Sequence, residues 1–152
     1  MVDIIHRIGI TAPLAQVRQA VSTVAGIAGW WTRETTGDST RDANVRVSFR
    51  DPRGAELGKM QFRVFAPEAE SRVRWSFDAG PDEWLGTEVT FDLKQDGERT
   101  LIVFGHRNWR EAVEFTAHCS MKWATFLLSL REFVETGTGK PAPNDLKIDD
   151  WN

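Results

Sequence analysis

TEVTFDLKQDGERTLIVFGH, residues 87–106, runs directly into RNWREAVEFTAHCSMKWATFLLSLREFVET, residues 107–136. In the first half Thr87, Val89, Phe91 and Leu93 alternate with Glu88, Thr90 and Asp92, the period of a strand with one apolar face. The Asp-Gly pair within Gln95–Glu98 is a hairpin signal, so Thr100–His106 pairs back on that strand. The period then changes. Between about Trp109 and Thr136 apolar residues fall at Phe115, Cys119, Trp123, Phe126 or Leu127, Leu130 and Val134, the spacing of a helix with one broad apolar stripe. Gly137 and Gly139 stop it, and Pro141 and Pro143 prevent its resumption. An antiparallel sheet with one apolar face needs a cover, and this helix supplies it.

The rest of the chain extends the sheet. Ile4, His6, Ile8 and Ile10 share one face of a first strand, residues 3–11. Thr11 reads as a cap and Pro13 as the first turn of a helix running to Val24, with Leu14, Val17, Val21 and Val24 as its stripe. Gly26 and Gly29 interrupt it, and Ile27–Trp31 reads as a second short helix. Residues 32–43 read as a polar loop without periodicity. Three strands follow, carried by Val45/Val47/Phe49, Met60/Phe62/Val64 and Val73/Trp75/Phe77, with a turn at Asp51–Gly54 and a loop at Ala79–Asp82. The expected order is β-α-α-β-β-β-β-β-α, an α+β chain in one domain spanning residues 1–152, with its tail strung along the surface. Arg7, Arg46, Arg50, Arg63, Arg72 and Arg74 fall opposite the apolar positions, on the solvent face.

Composition narrows the function classes. With 152 residues there is room for one core, and 41% apolar with 27% charged residues excludes a disordered chain. No apolar run reaches the roughly 20 residues of a membrane span, and no secretory leader is legible, which places the chain in the cytoplasm. A net charge of −3 argues against a nucleic-acid partner. The single Cys119 allows no internal disulfide, and the spacing of His6, His106 and His118 suggests no metal site. Seven Trp and nine Phe with no Tyr make the aromatic area large and poor in hydroxyls.

The order of elements, with Ile10-Thr-Ala-Pro13, Trp30-Trp31-Thr32, Val73-Arg-Trp75-Ser-Phe77, Gly86–Phe91, His106 with Trp109, Cys119-Ser-Met-Lys-Trp123, Leu128-Ser-Leu130 and Glu135–Pro141, resembles the START-like (SRPBCC, Bet v 1-type) superfamily. Its nearest look is to the branch named after the activator of heat-shock-protein-90 ATPase. The resemblance implies a helix-grip fold, a curved sheet wrapped round the long C-terminal helix with a cavity between them. It also implies a range of activities, since ligand carriers, cyclases, hydrolases and regulators share this scaffold. The eukaryotic activator uses an additional N-terminal domain to bind its chaperone, and this chain begins at the first strand, so ligand binding ranks above chaperone activation.

Phe49, Phe62, Trp75, Phe77 and Phe91 on the sheet face Trp123 and Phe126 on the helix. Such rings read either as packed core or as the lining of a pocket for a flat or apolar ligand. Both are expected here, a solid end and a hollow end. Trp30 and Trp31 close one side, with one ring facing inward. Trp84 is a rim residue or a ring lying on its own loop. His106, at the end of a strand, and His6 are the weak candidates for an acid/base role; a hydrogen-bonded structural histidine is the alternative. Cys119, on the buried stripe, reads as a small apolar residue. Glu34 and Asp38 reach toward the cavity mouth. The first functional expectation is a domain that binds a small apolar or aromatic molecule, as monomer or homodimer and without a cofactor. The others are a polyketide cyclase- or hydrolase-like enzyme, and a chaperone-regulating interaction domain.

Overall fold

The seven strands of the sheet follow the order β1-β7-β6-β5-β4-β3-β2, antiparallel throughout. They are β1 (Val2–Ile10), β2 (Glu34–Gly37), β3 (Val45–Arg50), β4 (Glu56–Phe65), β5 (Arg72–Ala79), β6 (Glu88–Asp96) and β7 (Arg99–Trp109). Helices α1 (Leu14–Ser22) and α2 (Val24–Trp30) follow β1, and α3 (Glu114–Thr136) closes the set. The computed structural model describes residues 1–40, 43–69 and 71–152. The architecture is an α+β helix grip, as the sequence pattern and the resemblance imply.

The quoted stretch folds as read, with Phe91 opposite Phe104 and Leu93 opposite Ile102 across the β6–β7 pair. Strand β7 runs on to Trp109, so α3 starts at Glu114 instead of near Trp109. Its first turn is held by the Thr116 hydroxyl, which accepts from the Val113 N–H at 3.1 Å. It ends at Gly137, whose φ of 88° is the left-handed conformation that closes a helix.

Three local expectations are corrected. Residues 34–37 of the expected loop are β2, from Glu34 opposite Ser48 to Gly37 opposite Val45. The strand is polar because it lies at the sheet edge and buries only Thr35, whose hydroxyl donates to the Thr32 carbonyl at 2.7 Å. Arg41 and Asp42 of that loop lie outside the described residues.

The first helix does not reach Val24. Thr23 is extended (φ −116°, ψ 151°), and its hydroxyl accepts from the Gly26 N–H, so Val24 opens α2. Thr11 does not cap α1. Pro13 stands at the N-cap position, and the free N–H of Leu14 donates to Gln95 from the β6–β7 hairpin at 2.7 Å. Gly26 and Gly29 are contact points: a Cβ at Gly26 would sit 2.6 Å from the Gln19 carbonyl, and one at Gly29 2.3 Å from the Phe133 ring.

The tail is the third correction. Asp145 is buried and accepts from the Lys122 ammonium of α3 at 2.5 Å, from Lys147 at 2.9 Å and from the Asn152 amide at 2.9 Å. Residues 145–152 are therefore strapped across α3. On the outer sheet face the arginines form cross-strand pairs, Arg72–Asp92 and Arg74–Glu88 among them.

The buried apolar residues form one cluster between sheet and helices. At its centre Trp75 stacks on Phe62 (4.7 Å between centroids) and Trp30 (6.0 Å) and meets Phe91 edge-on at 5.1 Å. Two of these indoles have found acceptors at the break between the short helices: Trp30 donates to the Ala20 carbonyl and Trp75 to the Val21 carbonyl, each at 2.8 Å. A buried indole N–H needs such a partner. The helix break thus exposes two carbonyls that the core uses.

Candidate functional site

One end of the grip is not filled. A cavity of about 450 Å³ opens between the β3–β4 hairpin, the turn at Asp82–Trp84, the N-terminal half of α3 and the end of the tail. Phe49, Leu57, Gly58 and Met60 form the sheet side. Phe115, His118, Cys119, Lys122, Trp123 and Phe126 form the helix side, at the three- and four-residue spacing of a single helical face. Trp31 lies at the base, Pro81, Glu83 and Trp84 at one flank, and Trp151 with Asn152 at the other. Leu57 and Trp151, each nearly half exposed, mark the mouth. Trp31, Trp84 and Trp123 are buried and near-parallel, with interplanar angles of 4° to 22°.

Of the rings singled out in the sequence, Trp31, Phe49, Trp84, Trp123 and Phe126 line the cavity, as does Cys119. Trp30, Phe62, Trp75, Phe77 and Phe91 do not: they are buried one layer behind, packed on one another and on Trp31 and Trp84. Strand alternation identifies which face a ring is on but not how far along the sheet the packing stops. Trp84, read as a rim residue or a surface ring, is 4% exposed because the short turn tucks it against Phe77 and Trp123. Glu34 and Asp38 stay outside the lining, Glu34 paired with Arg50 and Asp38 accepting from Thr40.

His106 also lies behind the lining, fully buried. The Trp123 indole N–H donates to His106 Nδ1 at 3.1 Å, so the ring proton sits on Nε2. Nε2 in turn faces the Thr87 hydroxyl at 2.9 Å, which donates to the Trp84 carbonyl at 2.7 Å. Both ring nitrogens are thereby engaged, in a chain that fixes Trp123 and the Trp84 turn. Burial pushes the imidazole down to about 3, against a small opposing pull from Asp3. A histidine so held is a positioning residue for the two indoles. His6 lies on β1, its Nε2 facing the Ser120 carbonyl of α3 at 3.0 Å, and it too is outside the lining.

Sequence reasoning passed over His118 and Lys122 as site residues. Both flank the apolar stripe of α3, and that adjacency was the available signal. His118 Nδ1 lies 2.6 Å from Asp149, whose carboxyl is held below its ordinary value chiefly by this hydrogen bond. The Lys122 ammonium donates to Asp145 and to the Leu146 carbonyl. Burial alone would raise the Asp145 carboxyl; the hydrogen bonds and charges of Lys122 and Lys147 outweigh it, and the net direction is down. The two basic groups of the lining are each matched by a carboxylate of the tail. Burial pushes the Cys119 thiol up to about 12, the Trp84 N–H opposing this and Glu83 adding to it. A neutral thiol is a poor nucleophile. Among the described residues no three His, Cys, Asp or Glu side chains meet as metal ligands, and no helix is long and apolar enough to cross a membrane.

Known proteins bear on this site through their folds. No protein-family model and no curated protein matches the sequence. Among solved structures, the Aha1 dimer from Colwellia psychrerythraea shares 37% identity with a TM-score of 0.75, over 91% of this chain and 100% of that one. CalU16 from Micromonospora echinospora matches at 22% identity and a TM-score of 0.71, over 97% of this chain and 74% of the other. DynU16, from the dynemicin biosynthetic locus, matches at 21% identity and 0.71, and this chain spans half of its length. The two lower identities speak for the fold alone. The first, with the helix-grip architecture, shows that the chain belongs to the Aha1-like branch of the START-like (SRPBCC) superfamily.

Proposed function

We propose that the chain binds a small apolar or aromatic molecule in the cavity between its curved sheet and α3. The observation that carries this is an open space of about 450 Å³ walled by indole and phenyl rings, in a fold whose other end is solid. The driving force is desolvation of ligand area, worth roughly 25 cal/mol per Å². The cavity lies in the size range of small-molecule sites and needs no rearrangement to admit one. Gly58 supplies the test. A Cβ there meets nothing within 4 Å, so Gly58→Leu extends a side chain from the cavity wall without a clash at its root. Planar apolar ligands should change tryptophan emission in the parent protein, and Gly58→Leu should weaken their binding at least tenfold while leaving unfolding unchanged. Absence of any emission change across such ligands overturns the reading.

A second reading, a cyclase- or hydrolase-like enzyme, is favoured by His118 and Asp149. A cavity-lining imidazole 2.6 Å from a carboxylate is an acid/base pair in form. His118→Asn should then abolish turnover of an activated aryl ester while leaving ligand affinity intact. A third, regulation of a chaperone, is supported by the 37% identity to an Aha1 protein and is tested by co-purification with heat-shock protein 90. That relative is a dimer, which favours the homodimer over the monomer for this chain.

A further inference from the structure

The unmet hydrogen-bonding capacity of the cavity wall lies on the flank formed by Pro81, Glu83 and Trp84. The Trp84 indole nitrogen is buried without a hydrogen-bond partner, whereas Trp30, Trp75 and Trp123 each donate to an acceptor. Its N–H acts on the Cys119 thiol of the lining, which remains protonated. Thiol sulfur is a weak acceptor. Trp109 also has an unpartnered indole nitrogen, but it lies outside the cavity lining, so a ligand there would serve no purpose for it.

The charges of the lining select against an anion. Lys122 and His118 are each engaged by a carboxylate of the tail, and Glu83 places a further carboxylate beside Trp84. An acidic ligand would meet no uncommitted cation there and would face Glu83. A neutral carbonyl or ether oxygen has neither difficulty and accepts what Trp84 offers. The rings decide the shape: Trp84, Trp31 and Trp123 are near-parallel, so a flat ring system continues their stack.

We infer that the cavity selects a planar, uncharged aromatic ligand bearing a hydrogen-bond acceptor, which binds with that acceptor on the N–H of Trp84. This rests on the reading of the cavity as a ligand site and adds the chemical class and orientation. Trp84 is then the specificity-determining residue, and His106, through Thr87 and the Trp84 carbonyl, positions it.

Three molecules of nearly one shape make the test: fluorene, 9-fluorenone, which adds a neutral carbonyl, and fluorene-9-carboxylate, which adds a charge. In calorimetric titrations of the full chain, 9-fluorenone should bind about tenfold more tightly than fluorene, the usual gain from satisfying one buried donor. The carboxylate should bind no better than fluorene. Trp84→Phe keeps a ring and removes the N–H; it should erase the preference, so that fluorene and 9-fluorenone bind alike. In the parent protein, where no variant has to fold, the Trp84 indole N–H proton resonance should shift downfield with 9-fluorenone and not with fluorene. Equal binding of fluorene and fluorenone, or a preference that survives in Trp84→Phe, overturns the inference while the ligand site stands. If none of the three binds, the ligand site itself fails and takes the inference with it.

Discussion

Trp75 and Trp84 are both tryptophans almost wholly removed from solvent, yet they occupy opposite conditions. Trp75 touches Trp30, Trp31, Phe62 and Phe91, and its N–H is given to Val21. Trp84 touches Phe77, His106 and Trp123 on one side, borders a void on the other, and has an N–H without a partner. The same residue type does structural work at the closed end of the grip and is left chemically unfinished at the open end. The difference lies in what surrounds each ring. Helices α1 and α2 plug the closed end, whereas the open one is walled by the β3–β4 hairpin, a single turn, one face of α3 and the tail.

The largest expected effect tests the solid end. Trp75→Ala removes a ring packed on all sides and should cost about 3–5 kcal/mol in chemical unfolding. Phe49→Ala, at the cavity wall, should cost under about 2 kcal/mol, since a ring beside a void has fewer contacts to lose. Equal costs would mean that the two ends are packed alike.

Next is the strap that walls the open end. Asp145→Asn leaves the Lys122 ammonium, half of a pair that is almost fully buried, without its carboxylate, at a cost of about 3 kcal/mol. Because the Asp145 carboxyl is held below its ordinary 3.8, its contribution is fully present above that value and is lost as pH falls through the lower folded value. Acid unfolding of the parent should therefore begin earlier than that of Asp145→Asn relative to each protein's own neutral stability.

How much of this was legible in advance differs between the two ends. The closed end was readable because strand alternation assigns Phe62, Trp75 and Phe91 to the inward face without knowledge of anything distant. The open end was only half readable. Trp31, Phe49, Trp123 and Phe126 fall on such periodic faces and Lys122 lies beside one, but Trp151 joins the site through the tail, and the tail is pinned by one carboxylate 23 positions from its lysine. No local pattern carries such a contact. The edge strand β2 escaped for a related reason: with Thr35 its only buried residue, it has no apolar alternation to show.

His106 joins the two ends, since Trp123 on one nitrogen and Thr87 on the other tie the cavity wall to the sheet. Held at about 3 by burial, it stays neutral in the fold while the unfolded chain takes up a proton below roughly 6.5. The unfolded state then binds more protons, so stability is full above pH 6.5 and falls as pH drops below it, by about 1.4 kcal/mol per unit and roughly 2 kcal/mol by pH 5. His106→Gln, which keeps polar atoms near Trp123 and Thr87 but cannot titrate, should flatten that slope over pH 5–6.5 in denaturant titrations. A slope that persists unchanged in the variant would mean that His106 does not carry it.

The smallest effect is expected where neither end is involved. Arg72 and Asp92 pair on the outer face at 2.5 Å, but both are more than a third exposed, so water and salt screen what they gain. Arg72→Met should change stability by less than about 1 kcal/mol and leave ligand affinity alone. The value of this variant is as a reference. The sheet has one face that determines packing and the cavity and another that meets water, and a large effect from the outer face would mean that the sheet's curvature, and with it the void, depends on those cross-strand pairs. In that case the difference between Trp75 and Trp84 would originate outside the core, in how tightly the outer face draws neighbouring strands together, and the Arg74–Glu88 pair would have to show the same effect.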